Sequence, residues 1–212
     1  MIADKIKQIP KRLSITSFIA QDDIKPTSLW EKEIRIALRN CKVFIPIVSR
    51  NFSKSDWTDQ ESGFALALRK SIIPVSVDKA PYGFIGKYQA LRWDNNEAVE
   101  GVLQIAERIA EKGKLDVDSF IARFSKCSSF DDAAIVTRIL VFIPRKQLNR
   151  FRMKKIVEAA IQNDQISNSW KSQPLLRKFV HYNQELLRPT SLSRFDKVFS
   201  VDSSEEENGE YL

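Results

Sequence analysis

The sequence predicts an α/β domain with a parallel sheet, followed by a purely helical region. From residue 13 to about 111, short β-rich runs alternate with amphipathic helical stripes, a spacing that implies parallel strand pairing and helices on both faces of the sheet. Beyond Gly113 the β-rich runs stop, and apolar residues recur every three or four positions. A hydrophobic content of 43% in 212 residues can supply a real core. The boundaries read this way are an α/β domain over 1–112, a helical region over 114–188, and a disordered acidic tail over 189–212.

The elements follow in order. "LSITSFIA" (13–20) is a strand candidate, and "QDDIKPTS" after it is a turn, because Asp starts turns and Pro26 fixes its own φ. A helix runs from Leu29 to about Asn40, with Ser28 and Glu31 as a capping box and Trp30, Ile34, Ala37, Leu38 and Cys41 as its inward stripe. "KVFIPIVS" (42–49) and "SIIPVSV" (71–77) are strands flanking a helix from about Ser55 to Arg69, for which Ser55 or Asp56 is the cap. Pro46 and Pro74 each remove an N–H from these runs and so blur the strand limits. A short strand near "YQALRW" (88–93) precedes the helix "EAVEGVLQIAERIAEK". In "APYGFIG", Gly83 and Gly86 permit tight turns. About four helices follow, the second capped by Ser129 with Asp132.

Charge and composition exclude several classes. The net charge of +7 conceals a split: residues 189–212 hold six acids and two bases, leaving 32 Lys and Arg against 21 Asp and Glu before them. The folded part is basic, which favours anionic ligands such as a dinucleotide, but no nucleic-acid-reading motif accompanies the charge and a nucleic-acid partner is not favoured. The longest apolar runs, "VFIPIV" (43–48) and "ILVFIP" (139–144), fall far short of the ~18 residues a membrane span needs. No signal pattern precedes them, so no membrane association and a cytoplasmic location are expected. Cys41 and Cys127 are the only cysteines and read as small hydrophobes, without a disulfide or metal site. His181, the only histidine, reads as a surface residue.

One position resists this bland reading. In "SDWTDQESGFALALRK" (55–70), Trp57, Glu61, Ala65 and Leu68 fall on one helical stripe with Phe64 beside it, which sets a carboxylate among apolar groups. An unpaired buried charge costs several kcal/mol. Three explanations stand open: a different helical register, a hidden cationic partner, or a functional acid at the rim of a pocket.

Three stretches carry a family resemblance: "FIAQDDIKPTSLWEKEI" (18–34), "SRNFSKSDWTDQESGFALA" (49–67) and "IIPVSVDKAPYGFIGKYQAL" (72–91). Together they resemble the TIR (Toll/interleukin-1 receptor) domain family in its bacterial form, over roughly half the chain. "EAAIQNDQISNSW" (158–170) is similar to a helical C-terminal extension that some bacterial TIR proteins carry. The resemblance implies a flavodoxin-like parallel sheet. It also implies that the loop from Ala20 to Ser28, with Asp22, Asp23, Ile24 and Pro26, joins neighbouring TIR domains, which makes self-association an expectation. Many bacterial and plant members cleave NAD at the nicotinamide–ribose bond with a glutamate that matches Glu61. NAD would then be a substrate, with no cofactor, and Phe18, Ala20 and Trp57 would contact it. The helical region is left for a protein partner.

Breaking that bond puts positive charge on the ribose, and nicotinamide leaves as a neutral base that needs little protonation, so a single carboxylate can suffice. It would hold the ribose hydroxyls and stabilise the oxocarbenium-like state electrostatically. The sequence departs from the family at its start: "MIADKIKQIP" looks like the end of the first helix, so the first strand of the family is missing. In a 2-1-3-4-5 sheet that strand is central, and its loss exposes hydrogen-bonding edges on both neighbours and removes one wall of the cleft. Either the chain begins further upstream or the domain is a shortened copy. The competing readings are a non-enzymatic TIR interaction module and a relative of nucleoside deoxyribosyltransferases. A phosphorylated receiver is disfavoured, because "KVFIPIVS" does not end in an acceptor Asp.

Overall fold

The structure is a computed structural model that describes residues 2–3, 5–6, 15–24 and 29–200. The chain divides into two compact units, Met1–Asp116 and Val117–Leu212.

The first unit is a parallel sheet with helices on both faces. In chain order it holds α1 (Ala20–Asp23), α2 (Trp30–Asn40), β1 (Val43–Phe44), β2 (Ile47–Val48), α3 (Asp56–Ala67), β3 (Ser71–Ile72), β4 (Val75–Ser76), β5 (Leu91–Arg92) and α4 (Ala98–Glu111). β1 pairs with β3, and β2–β4–β5 form a second ladder, every pairing parallel. The two ladders are one sheet interrupted by proline. Val43 faces Ser71 and Ile47 faces Val75 with the same offset, which sets Pro46 opposite Pro74 at the break. Neither proline has an N–H to give, yet the Pro46 carbonyl still accepts from Val75 N–H and the Pro74 carbonyl from Leu91 N–H, each at 2.9 Å.

Alternation along the strands fills both faces. Val43, Ile45, Ile47, Ile73, Val75, Leu91 and Trp93 pack with Val102, Ile105 and Ile109 of α4. Phe44, Val48 and Ile72 pack with Ile34 and Leu38 of α2, Phe52, and Ala65 of α3. Gly101 lets α4 approach the sheet, since a Cβ there would sit 3.0 Å from Trp93 Cε3. Gly101→Ala is expected to cost about 1–3 kcal/mol through overpacking, read from urea unfolding followed by tryptophan fluorescence.

Two expectations are corrected in this unit. Residues 15–19 do not form the strand expected over 13–20; residues 13 and 14 lie outside the described residues. Ile19 is extended, but an extended run becomes a strand only when a neighbour supplies its ladder, and no described strand flanks this one. The Asp23 carboxylate instead accepts from the Ile19 N–H at 2.7 Å and closes the helical turn of α1. In α2, Ile34 and Leu38 are buried and Ala37 and Cys41 half-buried as expected, whereas Trp30 at the first turn is 41% exposed. The Ser28 cap lies outside the described residues.

The second unit is helical: α5 (Val117–Phe124), α6 (Phe130–Leu140), α7 (Arg150–Gln162), the single turn α8 (Asp164–Ser167), α9 (Gln173–Tyr182) and α10 (Pro189–Val198). The Ser129 side chain accepts from the Asp132 N–H at 3.1 Å, the cap read from the sequence. Asp132 also pairs with Arg123, and Arg152 pairs with Asp118. Phe120, Phe124, Ile139, Leu140, Met153, Ile156 and Leu176 make the core. The disordered tail expected from residue 189 is corrected, because α10 packs Phe195 and Phe199 fully into the interior, their rings stacked 4.3 Å apart. Five of the six acids that gave the tail its character lie beyond residue 200, outside the described residues. The stretch 189–200 itself spaces Leu192, Phe195 and Phe199 as a helical stripe.

Among the described residues no helix is long and apolar enough to cross a membrane. Cys41 and Cys127 are free thiols, and burial pushes the Cys127 thiol up to about 11.

Candidate functional site

The carboxyl end of β2 feeds the loop that launches α3. The Ser49 side chain accepts from the Phe52 N–H at 3.2 Å, and buried Phe52 anchors the turn Phe52–Lys54. The Asp78 carboxylate accepts from the Arg50 N–H at 2.8 Å, tying this loop to the one that follows β4. Ser55 stands at the N-cap of α3 without a side-chain bond; the Thr58 hydroxyl instead lies 2.9 Å from the Ser55 carbonyl and bonds back into the first turn. The inward face of α3 is Thr58, Glu61, Ser62 and Ala65. Trp57, expected on this face, is corrected: it is 46% exposed, and Leu68 is exposed as well.

Glu61 is therefore at the edge of the inward face and half-buried. Among the described residues it makes no hydrogen bond and no ion pair. Burial raises its carboxyl above the ordinary glutamate value, with no cation to offset it. Of the three explanations left open by the sequence, a hidden cationic partner is not found among the described residues. The side chain lines a partly open, mainly apolar cavity of about 470 Å³, together with Phe18, Ala20, Ile34, Leu38 and Ile47. A cavity of that size falls within the range of small-molecule sites. Phe18 and Ala20, two of the expected contact residues, share this cavity with Glu61, and Trp57 does not. Asp22, Asp23 and Ile24 lie in and after the α1 turn beside Ala20, with Ile24 packed on the α2–α3 core; Pro26 lies outside the described residues.

The sequence reading missed one pair. The Tyr82 hydroxyl donates to Asp59 at 2.7 Å and ties α3 to the "APYGFIG" segment, where Gly83 takes a positive φ of 55°. Lost hydration and the Asp59 carboxylate push the Tyr82 phenol up to about 12. An Asp and a Tyr more than twenty residues apart carry no pairing signal in one sequence. A larger recess of about 540 Å³ lies against Gly63, Leu66, Arg69, Lys87 and Tyr88, but it is open and bears no carboxylate.

The Glu61 titration has a thermodynamic consequence. Its folded value lies above that of the unfolded chain, so ionised Glu61 opposes folding. That penalty is absent below the unfolded value, grows as pH rises through the window between the two, and is complete above the folded value. Glu61→Gln is expected to stabilise the protein near neutral pH and to leave stability unchanged near pH 3, as read from urea midpoints at both.

A parallel sheet covered by α4 on one face and by α2 and α3 on the other defines the class of doubly wound α/β domains. A model of the TIR domain matches residues 1–106, half of the chain, and the chain belongs to the TIR domain family. No curated protein and no solved structure shows a significant match to it.

Proposed function

We propose that the chain is an NAD glycohydrolase of TIR type, with Glu61 as the acting carboxylate, serving bacterial defence or stress signalling. The observation that carries this reading is the half-buried, unpartnered Glu61 facing an apolar cavity. The nicotinamide ring of NAD is cationic, so its entry would bring the counter-charge that Glu61 lacks. In hydrolysis the bond between ribose C1′ and the nicotinamide nitrogen breaks, and its electron pair leaves with nicotinamide. Ionised Glu61 would hold the ribose hydroxyls and stabilise the oxocarbenium-like sugar, in a recess where water is scarce and the field correspondingly strong. The oxygen of a water molecule then bonds to C1′ and its proton passes to the medium, giving ADP-ribose. Phe18 and Ala20 would wall the nicotinamide end. The test is release of nicotinamide from NAD by the purified chain, followed chromatographically over a range of protein concentrations. Release in proportion to enzyme is expected, and none at any concentration would remove the reading.

A second reading, self-association without catalysis, is favoured by one specific observation. Phe18, Leu29 and Trp30, on either side of the α1 turn, are 43%, 75% and 41% exposed. Large exposed apolar groups flanking the expected joining loop in sequence suit an interface. Leu29→Glu is expected to move the sedimentation profile toward monomer without loss of circular dichroism. An unchanged profile would remove this surface from any assembly.

A further inference from the structure

The amino end of α7 carries charge of the wrong sign for a stable helix. Between Asp132 and Glu158 the chain holds seven cations and no acid, and four of them, Arg150, Arg152, Lys154 and Lys155, fall in the first two turns of α7. Positive charge there opposes the helix dipole, and Arg150 and Lys154, one turn apart, repel each other. The fold uses part of this charge. Arg152 pairs with Asp118 and donates to the Gln147 carbonyl, which holds the turn Arg145–Gln147 against α7, and Arg145 pairs with Glu185. Lys154 meets Glu158 at 3.6 Å. Lys146, Arg150 and Lys155 are exposed and form no ion pair among the described residues; Lys155 feels Asp118 only from beyond ion-pair distance. Two rings stand among these cations. Phe151 is 61% exposed, with the Lys155 ammonium 4.4 Å from its ring centre, and exposed Tyr182 has the Arg145 guanidinium 6.0 Å from its own.

We propose that this face of the helical unit binds single-stranded nucleic acid, with Lys146, Arg150 and Lys155 on its phosphates and Phe151 stacked on a base. Charges that weaken the helix and meet no acid within the fold are explained by an anion from outside it. The interleaving of rings with cations selects the kind of anion. Every nucleotide of a strand carries one phosphate and one flat ring system, and so answers both at once. An acidic peptide or a lipid headgroup answers the charges and leaves Phe151 in water. A duplex keeps its bases stacked on one another, out of reach of the ring. Binding of this kind tolerates any sequence, so it needs none of the base-reading motifs that the chain lacks.

The inference rests on the helical unit alone and is independent of the NAD reading, since binding is measured without NAD. The probe is a fluorescently labelled oligothymidylate of about 20 nucleotides, titrated with the full chain and followed by anisotropy. Three phosphate contacts predict that affinity falls about twentyfold between about 50 and 200 mM salt. The double variant Arg150→Gln, Lys155→Gln is expected to bind more weakly and to cut that fall to about threefold, because two contacts are gone. Phe151→Ala is expected to weaken binding about fivefold or more and to leave the salt dependence as it was, because stacking releases no counterions. These side chains are exposed, and unchanged circular dichroism checks that each variant is folded. Three results would overturn the proposal: no binding of the oligothymidylate at the lower salt, an affinity that neither variant moves, or equal binding of a polyglutamate peptide of the same length. The last would assign the face to an acidic polypeptide.

Discussion

Glu61→Gln is expected to lower the rate of nicotinamide release from NAD by at least about a hundredfold, the usual effect of removing one group aimed at transition-state charge. Glutamine keeps the shape of the side chain and its capacity to bond ribose hydroxyls, so the loss isolates the charge. Substrate affinity should fall less than turnover, because the full positive charge on the sugar develops only as the bond breaks. The wild-type rate should decline as the carboxylate is protonated, with an acid limb above the ordinary glutamate value because burial raises this group. Equal rates for wild type and variant would remove Glu61 from the chemistry, and the stability gain expected of the same variant near neutral pH would show that the protein is folded.

Phe195→Ala is expected to cost the helical unit about 3–5 kcal/mol, the range for emptying a fully buried aromatic site. The ring is wholly buried and stacks on Phe199 at 4.3 Å with an interplanar angle of 12°, while Arg177 donates to the Phe199 carbonyl at 3.2 Å. A chain cut after Leu187 should lose at least as much, because both rings and α10 go together. Urea unfolding followed by circular dichroism measures both changes. A shift of less than about 1 kcal/mol in either would mean that α10 is not part of the core.

Much of the fold was legible because its signals are local. The β-rich runs 42–49 and 71–77, alternating with helices, marked two strands covered on both faces, and the structure divides those faces between the α4 side and the α2–α3 side. The prolines were read as disturbances of ladder bonding; what the sequence could not show is that they lie opposite each other, since register is a property of two segments. The segment 13–20 has strand composition, but strand formation depends on a neighbour, and composition says nothing about whether one is present. The tail was misjudged because charge was averaged over residues 189–212, and the last acids masked the helical stripe before them.

The site was legible in part for the same reason. Glu61 was conspicuous as a carboxylate on an apolar face, and the structure keeps it half-buried and unpartnered. Trp57 was misplaced because the stripe 57, 61, 65 and 68 lies to one side of the buried face, which centres between Glu61 and Ser62 and leaves Trp57 and Leu68 at its margin. The cavity combines residues 15–20, 34–47, 61 and 109–116, a set that only the fold brings together.

The most direct measurement is a crystal structure of the Glu61→Gln variant with intact NAD. The account predicts the nicotinamide riboside end in the cavity between Phe18, Ala20 and Ile47, with a ribose hydroxyl within hydrogen-bonding distance of the residue 61 amide. NAD bound instead in the open recess beside Arg69 and Lys87, or no NAD bound at saturating concentration, would contradict it.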